Sequence, residues 1–216
     1  MYHLQVAHSP WDCSNNQQRY TTHQVQATTL RAFLALDFDA EGQAHLTTHL
    51  RRLRAAPWAD QVRWVHPEHL HLTLRFLGEV TPIQVNEYMD SFRSRLGALG
   101  TLRLRASGPR LFPNPSRPRL VACLIEAHPA LDALAALAES CAVGIGLPAE
   151  SRPFQGHVTL GRTRDQRAGR SISLDASPST VLTCSAITLY RSQLQPQGPL
   201  YSVLATLPLP AYNHAS

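Results

Sequence analysis

Two short runs share one pattern about half a chain apart: His71-Leu72-Thr73-Leu74 and His157-Val158-Thr159-Leu160. An imidazole and a hydroxyl two residues apart project from the same face of a β-strand, because successive side chains alternate. Leu72, Leu74 and Phe76, and likewise Val158 and Leu160, then point to the opposite side and pack. Two such strands facing a common cleft would set two imidazoles on one substrate. A neutral imidazole can take a proton from a hydroxyl or water, while a protonated one gives a proton to a leaving oxygen. The threonine hydroxyls can donate to the non-bridging oxygens of a phosphate held between them. That chemistry is an in-line displacement at phosphorus with a bell-shaped pH dependence, in which a bound phosphodiester anion raises the pKa of both imidazoles. The repeat is symmetric and leaves open which histidine is acid and which is base.

Neighbouring residues sharpen the pattern. His45-Leu46-Thr47 also fits His-x-Thr but lies in a helical stretch, where two residues span roughly 200 degrees around the axis and cannot converge. It is assigned to a solvated helix face. His69 shares a face with His71 but has no threonine two places on, and His66 precedes Pro67 in a turn. Arg75, in register with His71 and Thr73, is expected to face the cleft as a cation. No H-E-x-x-H or C-x-x-C cluster suggests a metal site, and there is no GxxxxGK[ST] phosphate loop. The reading therefore requires no metal and no cofactor.

The elements that must position these residues follow from periodicity. RAFLALDF from Arg31 is a short apolar strand, and residues 40–55 place Leu46, Leu50 and Leu53 at helical spacing. QVRWV and HLHLTLRFLG give further strands. Thr81 as N-cap with Pro82 after it opens a helix. TLRLRAS alternates with period two, and residues 107–119, rich in proline, read as a loop. RLVACLIEA is a strand, and residues 129–144 form an alanine and leucine helix closed by Gly144. HVTLGR, VLTCSAITLYRS and GPLYSVLATLPL complete seven or eight strands with three helices. The expectation is an α+β chain of two similar lobes, divided near residue 106 and free to exchange strands, with helices covering one sheet face.

Composition bounds the partners. The 216 residues carry 44% apolar side chains, enough for a core, and 20 Lys and Arg against 15 Asp and Glu, a net charge of +5 that favours an anionic partner. Cys13, Cys123, Cys141 and Cys184 are too scattered for a zinc site or a disulfide framework and suit a reducing compartment. There is no membrane-length apolar run and no signal-peptide pattern. A cytoplasmic monomer without a membrane partner is expected. Residues 1–29 are polar and aperiodic and read as a flexible N-terminal extension, residues 30–207 as one bilobed domain, and 208–216 as a tail.

HLTLRFLG (His71 to Gly78) and RPFQGHVTLGR (Arg152 to Arg162), with RAFLAL at the start and LYRSQLQPQGPLY near the end, resemble the 2H phosphoesterase superfamily. Within it the chain is similar to the RNA 2′,3′-cyclic phosphodiesterases, first described as 2′-5′ RNA ligases, from about Arg31 to Leu207. The resemblance implies two pseudo-symmetric lobes of antiparallel sheet plus helices around a central cleft. It implies hydrolysis of RNA 2′,3′-cyclic phosphate ends to 2′-phosphates, and joining of a 5′-hydroxyl to the cyclic phosphate in a 2′-5′ linkage without ATP. His71 would be the proton donor, His157 the proton acceptor, and Thr73 and Thr159 the phosphate holders. Phe33 and Arg162 match substrate-contacting positions. Phe33 could stack on a base or serve as a core aromatic. Strict alternation aims Arg162 away from the cleft, and a bulge at Gly161 would re-aim it. One departure stands out: Gln155-Gly156 precedes His157 where the family commonly has proline, which suggests a looser approach to the base. Competing readings are a non-catalytic RNA-end binder, or a related enzyme acting on a small nucleotide cyclic phosphate or a 2′-5′ oligonucleotide.

Overall fold

A computed structural model describes residues 28–165, 171–196 and 198–211. In chain order these form β1 (Leu30–Phe38), α1 (Ala40–Arg54), β2 (Val62–Trp64), β3 (Leu72–Val80), α2 (Pro82–Arg95), β4 (Arg103–Phe112), β5 (Leu120–Ile125), α3 (Pro129–Gly144), β6 (His157–Thr163), β7 (Thr180–Gln195) and β8 (Gly198–Pro208). The extension expected over residues 1–29 lies outside the described residues except for 28 and 29, and the tail is described only as far as residue 211.

Local chemistry explains where the helices begin. The Asp39 carboxylate accepts from the Gly42 amide at 2.8 Å and caps α1, whose last turn carries Arg51, Arg52 and Arg54 against the negative end of the helix dipole. Thr81 and Gln84 cap α2 reciprocally, with Pro82 at the first position. Pro129 fills the same place in α3. The apolar stripes of these helices, including Leu46, Leu50, Tyr88, Phe92, Leu131 and Leu134, join the inward residues of the strands in one core. Each such side chain contributes on the order of 1.5–3 kcal/mol on burial.

All strand pairings are antiparallel, and they close on themselves. β1 pairs with β3, β3 with β6, β6 with β5, β5 with β4, β4 with β7, and β7 returns to β1; β8 extends from β7 and β2 from β6. The expected two lobes are present as a repeat within this ring. In the first, β1-α1-β3 pairs Leu36 with Leu72, Ala35 with Thr73, Leu34 with Arg75 and Phe33 with Phe76. In the second, β5-α3-β6 pairs Cys123 with Val158, Ala122 with Thr159, Val121 with Gly161 and Leu120 with Arg162. The registers match step for step. Each skips one residue on the His-x-Thr strand, so Leu74 and Leu160 are both bulged at the third position after the histidine. Strands are also exchanged, since β2 joins the second lobe while β7 and β8 join the first.

Residues 107–119 are not all loop, as the prolines suggested. β4 runs on to Phe112 and pairs with β5 through Pro109, Arg110, Leu111 and Phe112. Past Ala106 it has left β7, so Pro109 sits beside a bulge where the missing amide donor breaks no ladder. At Gly108 a β-carbon would meet Ser177 at 2.7 Å, so only glycine lets that segment lie across β4.

Candidate active site

β3 and β6 touch through a single registered pair, Leu72 with Val158, and splay apart on either side. Leu72 and Val158 are fully buried, so the alternate residues His71, Thr73, His157 and Thr159 project together to the opposite face. All four line one cavity of about 450 Å³, which also receives His69, Phe76, Arg162, Tyr201 and the β7–β8 hairpin. His45, by contrast, is exposed on α1 beside Thr180.

The two imidazoles are held in the same way. Nδ1 of His71 lies 2.7 Å from the carbonyl oxygen of His69, and Nδ1 of His157 lies 2.8 Å from that of Gln155. A carbonyl can only accept, so each Nδ1 carries the proton and each Nε2 is left for the cavity. Each ring is also backed by an aromatic: Phe33 lies 4.9 Å from His71, and Phe112 stacks on His157 at 5.0 Å. Burial pushes the His71 pKa down to about 4, against the lift from the His69 carbonyl; the positive charges of His69, His157 and Arg162 lower it further. Behind His71, the hydroxyls of Thr188 and Tyr190 donate to the Asp37 carboxylate at 2.6 and 2.9 Å, while burial raises that carboxyl's pKa.

The bulges decide what else reaches the cavity. After Leu160 the alternation of β6 reverses, so Gly161 is buried and Arg162 turns into the cavity. In β3 the same slip at Leu74 corrects two expectations. Phe76 does not pack inward; it is 49% exposed and lines the cavity. Arg75 does not face the cleft. It is 7% exposed, pairs with Glu139 and Glu150, and donates to the carbonyls of Phe76 and Pro148 at 2.7 Å. Phe33, at 1% exposure, cannot stack on a base; it is packed among His71, Phe76, Tyr190 and Tyr201.

Gly156 is not a loose approach to His157 either. A β-carbon there would stand 3.0 Å from Leu131 and 3.2 Å from Ile125, and its carbonyl accepts from the Ile125 amide at 2.9 Å. The segment is clamped between α3 and β5. Sequence reasoning missed Phe112, Tyr201 and Arg63. Phe112 lay in the stretch read as a loop; Tyr201 and Arg63 lay on strands with no periodic sign of facing a cleft. Among the described residues, no group of three or more His, Cys, Asp or Glu is placed to hold a metal ion, and no helix is long and apolar enough to cross a membrane.

The family model described as LigT like Phosphoesterase matches residues 36–122 and 125–201, most of the chain. The chain belongs to that family. Among curated proteins similar to this LigT-like chain, the RNA 2′,3′-cyclic phosphodiesterase of Methanothermobacter thermautotrophicus is 30% identical over 178 residues, 80% of this chain and 95% of that protein. The protein of the same name from Thermus thermophilus is 31% identical over 192 residues, covering 81% and 88%. Among solved structures, E. coli LigT complexed with 3′-AMP superposes with a TM-score of 0.69 at 26% identity, covering 84% of this chain and 99% of that one. A solved structure of a Thermus thermophilus protein gives 0.68 at 27%, covering 83% and 98%. The closed antiparallel sheet with three helices is thus the 2H phosphoesterase fold.

Proposed function

We propose that this LigT-like chain hydrolyses the 2′,3′-cyclic phosphate ends of RNA to 2′-phosphates, without metal or cofactor, by general acid and base catalysis from its two histidines. The observation that carries this reading is the matched pinning of both imidazoles through Nδ1, which leaves two Nε2 atoms on one cavity with two threonine hydroxyls beside them. The relatives named RNA 2′,3′-cyclic phosphodiesterase support the substrate class.

In the proposed reaction the Thr73 and Thr159 hydroxyls donate to the non-bridging oxygens of the cyclic phosphate. Nε2 of His157 removes a proton from water, whose oxygen bonds to phosphorus. The bond from phosphorus to the 3′ oxygen breaks, and Nε2–H of His71 protonates that oxygen, leaving a 3′-hydroxyl and a 2′-phosphate. Each proton transfer is worth on the order of a hundred- to ten-thousand-fold in rate. With a 5′-hydroxyl in place of water, the same transfers give a 2′-5′ linkage without ATP. All of these groups come from one chain, which supports action as a monomer, and the RNA substrate fits a cytoplasmic setting.

The test is to incubate the protein in EDTA, without nucleotide triphosphates, with an RNA oligomer ending in 2′,3′-cyclic phosphate, and to identify the product. A 2′-phosphate that is lost in His71→Ala and in His157→Ala, with folding retained, is the expected result. A 3′-phosphate product, or full activity in either variant, would remove the scheme.

A further inference from the structure

Arg63 and Arg162 are a cross-strand pair. β2 is only three residues long, and it places Arg63 directly opposite Arg162 on β6. Directly opposed residues of antiparallel strands project to the same face with β-carbons roughly 5 Å apart, and like charges so placed repel. Both side chains line the cavity that holds the histidines and threonines. Neither has a carboxylate or hydrogen-bond partner among the described residues, whereas the buried Arg75 is paired twice.

The arrangement is enforced by the backbone around it. Gly161 faces Trp64 in the adjacent pair, and a β-carbon there would collide with the side chains of Val62 and Trp64. Only glycine lets β2 close on β6, and the bulge at Leu160 turns Arg162 to the cavity side. Two adjacent guanidiniums with no acid between them among the described residues form a fork suited to a phosphate's oxygens. Arg162 lies three residues along β6 from Thr159. That is roughly 10 Å of extended strand, shortened by the bulge, or about the spacing of neighbouring phosphates on a single strand.

We propose that Arg63 and Arg162 together bind the phosphate on the 5′ oxygen of the terminal nucleotide, so that the site favours RNA oligonucleotide ends over cyclic mononucleotides that carry a 5′-hydroxyl. The inference rests on the reading given under Proposed function and names the substrate class within it. Attraction between the fork and that phosphate also relieves the repulsion between the two arginines.

The experiment compares kcat/KM for four substrates: a nucleoside 2′,3′-cyclic phosphate with a 5′-hydroxyl, the same with a 5′-phosphate, a dinucleotide ending in the cyclic phosphate, and that dinucleotide with a neutral methylphosphonate linkage. The 5′-phosphorylated nucleotide and the ordinary dinucleotide should exceed the 5′-hydroxyl compound at least tenfold, and the methylphosphonate should lose that advantage. Arg63→Gln should lower the dinucleotide value about tenfold more than the 5′-hydroxyl value, and Arg63→Lys should restore part of the difference. Arg63 is exposed, so the variant should fold, which a melting curve checks. Equal values for the two linkages, or an equal loss on both substrates in Arg63→Gln, would overturn the proposal. If the wild type opens none of the four, the proposed function fails by itself. The subsite is then read by equilibrium binding of the two dinucleotides as 3′-phosphates: tighter binding of the charged linkage, lost in Arg63→Gln, supports it, and equal affinity sinks it.

Discussion

Binding a phosphate should move the titration of His71 by one to three pH units. Burial holds this imidazole down to about 4, with the positive charges of His69, His157 and Arg162 acting in the same direction. At pH 7 the protonated fraction is then on the order of one in a thousand, too small for the proton-donor role proposed for it. In the proposed reaction the substrate would supply the correction: an anion held between Thr73 and Thr159 would lie beside Nε2, and an opposite charge at such range raises a pKa by roughly 1–3 units. By linkage, phosphate affinity rises as pH falls from 7 toward 4, by up to about tenfold per unit where binding takes up one proton. Long-range ¹H–¹⁵N NMR on the labelled protein reads both tautomer and titration. His71 should show Nδ1 protonated and a pKa near 4 without ligand, moving upward at saturating inorganic phosphate. An unliganded pKa near 6.5, an Nε2–H tautomer, or no movement at saturation would refute the reasoning.

Other outcomes follow from the same contacts. Because the folded pKa of His71 is depressed, its contribution to stability is full above pH 6.5 and is lost as pH falls toward 4, by about 3 kcal/mol; urea unfolding across that range should show the slope, and His71→Asn should flatten it. Arg75→Met leaves Glu139 and Glu150 without their partner and should cost about 3 kcal/mol in denaturant unfolding while changing KM little, whereas an Arg75 in the cleft would do the reverse. Gly161→Ala drives a methyl group into Val62 and Trp64 and should cost about 1–3 kcal/mol in thermal unfolding and raise KM through the displaced Arg162. Phe112→Leu removes the ring stacked on His157 and should lower kcat up to about tenfold with KM nearly unchanged.

Much of the site could be seen in the sequence because it depends on alternation. The spacing of His71 to Thr73 and of His157 to Thr159 needs only an extended backbone to put all four side chains on one face, and the buried Leu72 and Val158 between them fix which face that is. The helices were equally plain, since Thr81, Pro82 and the leucine stripe of α1 carry their own start signals and faces. What escaped depends on pairing between strands distant in the chain. Arg75 and Phe76 follow His71 at the same distances as Gly161 and Arg162 follow His157, and both pairs come just after a bulged leucine. Nothing local marks a bulge at Leu74, where no glycine announces it; it exists because β1 opposes two residues of β3 with one, and because Glu139 on α3 and Glu150 beyond it receive the arginine that the slip turns away from the cavity. Gly161 gave a hint at the second bulge, although the bulged residue is Leu160 and the glycine is required where β2 closes on β6. The two halves therefore keep one backbone geometry while placing different side chains at the same position, an aromatic in one lobe and a guanidinium in the other. That difference gives a symmetric scaffold a cleft with a cationic end and an aromatic end.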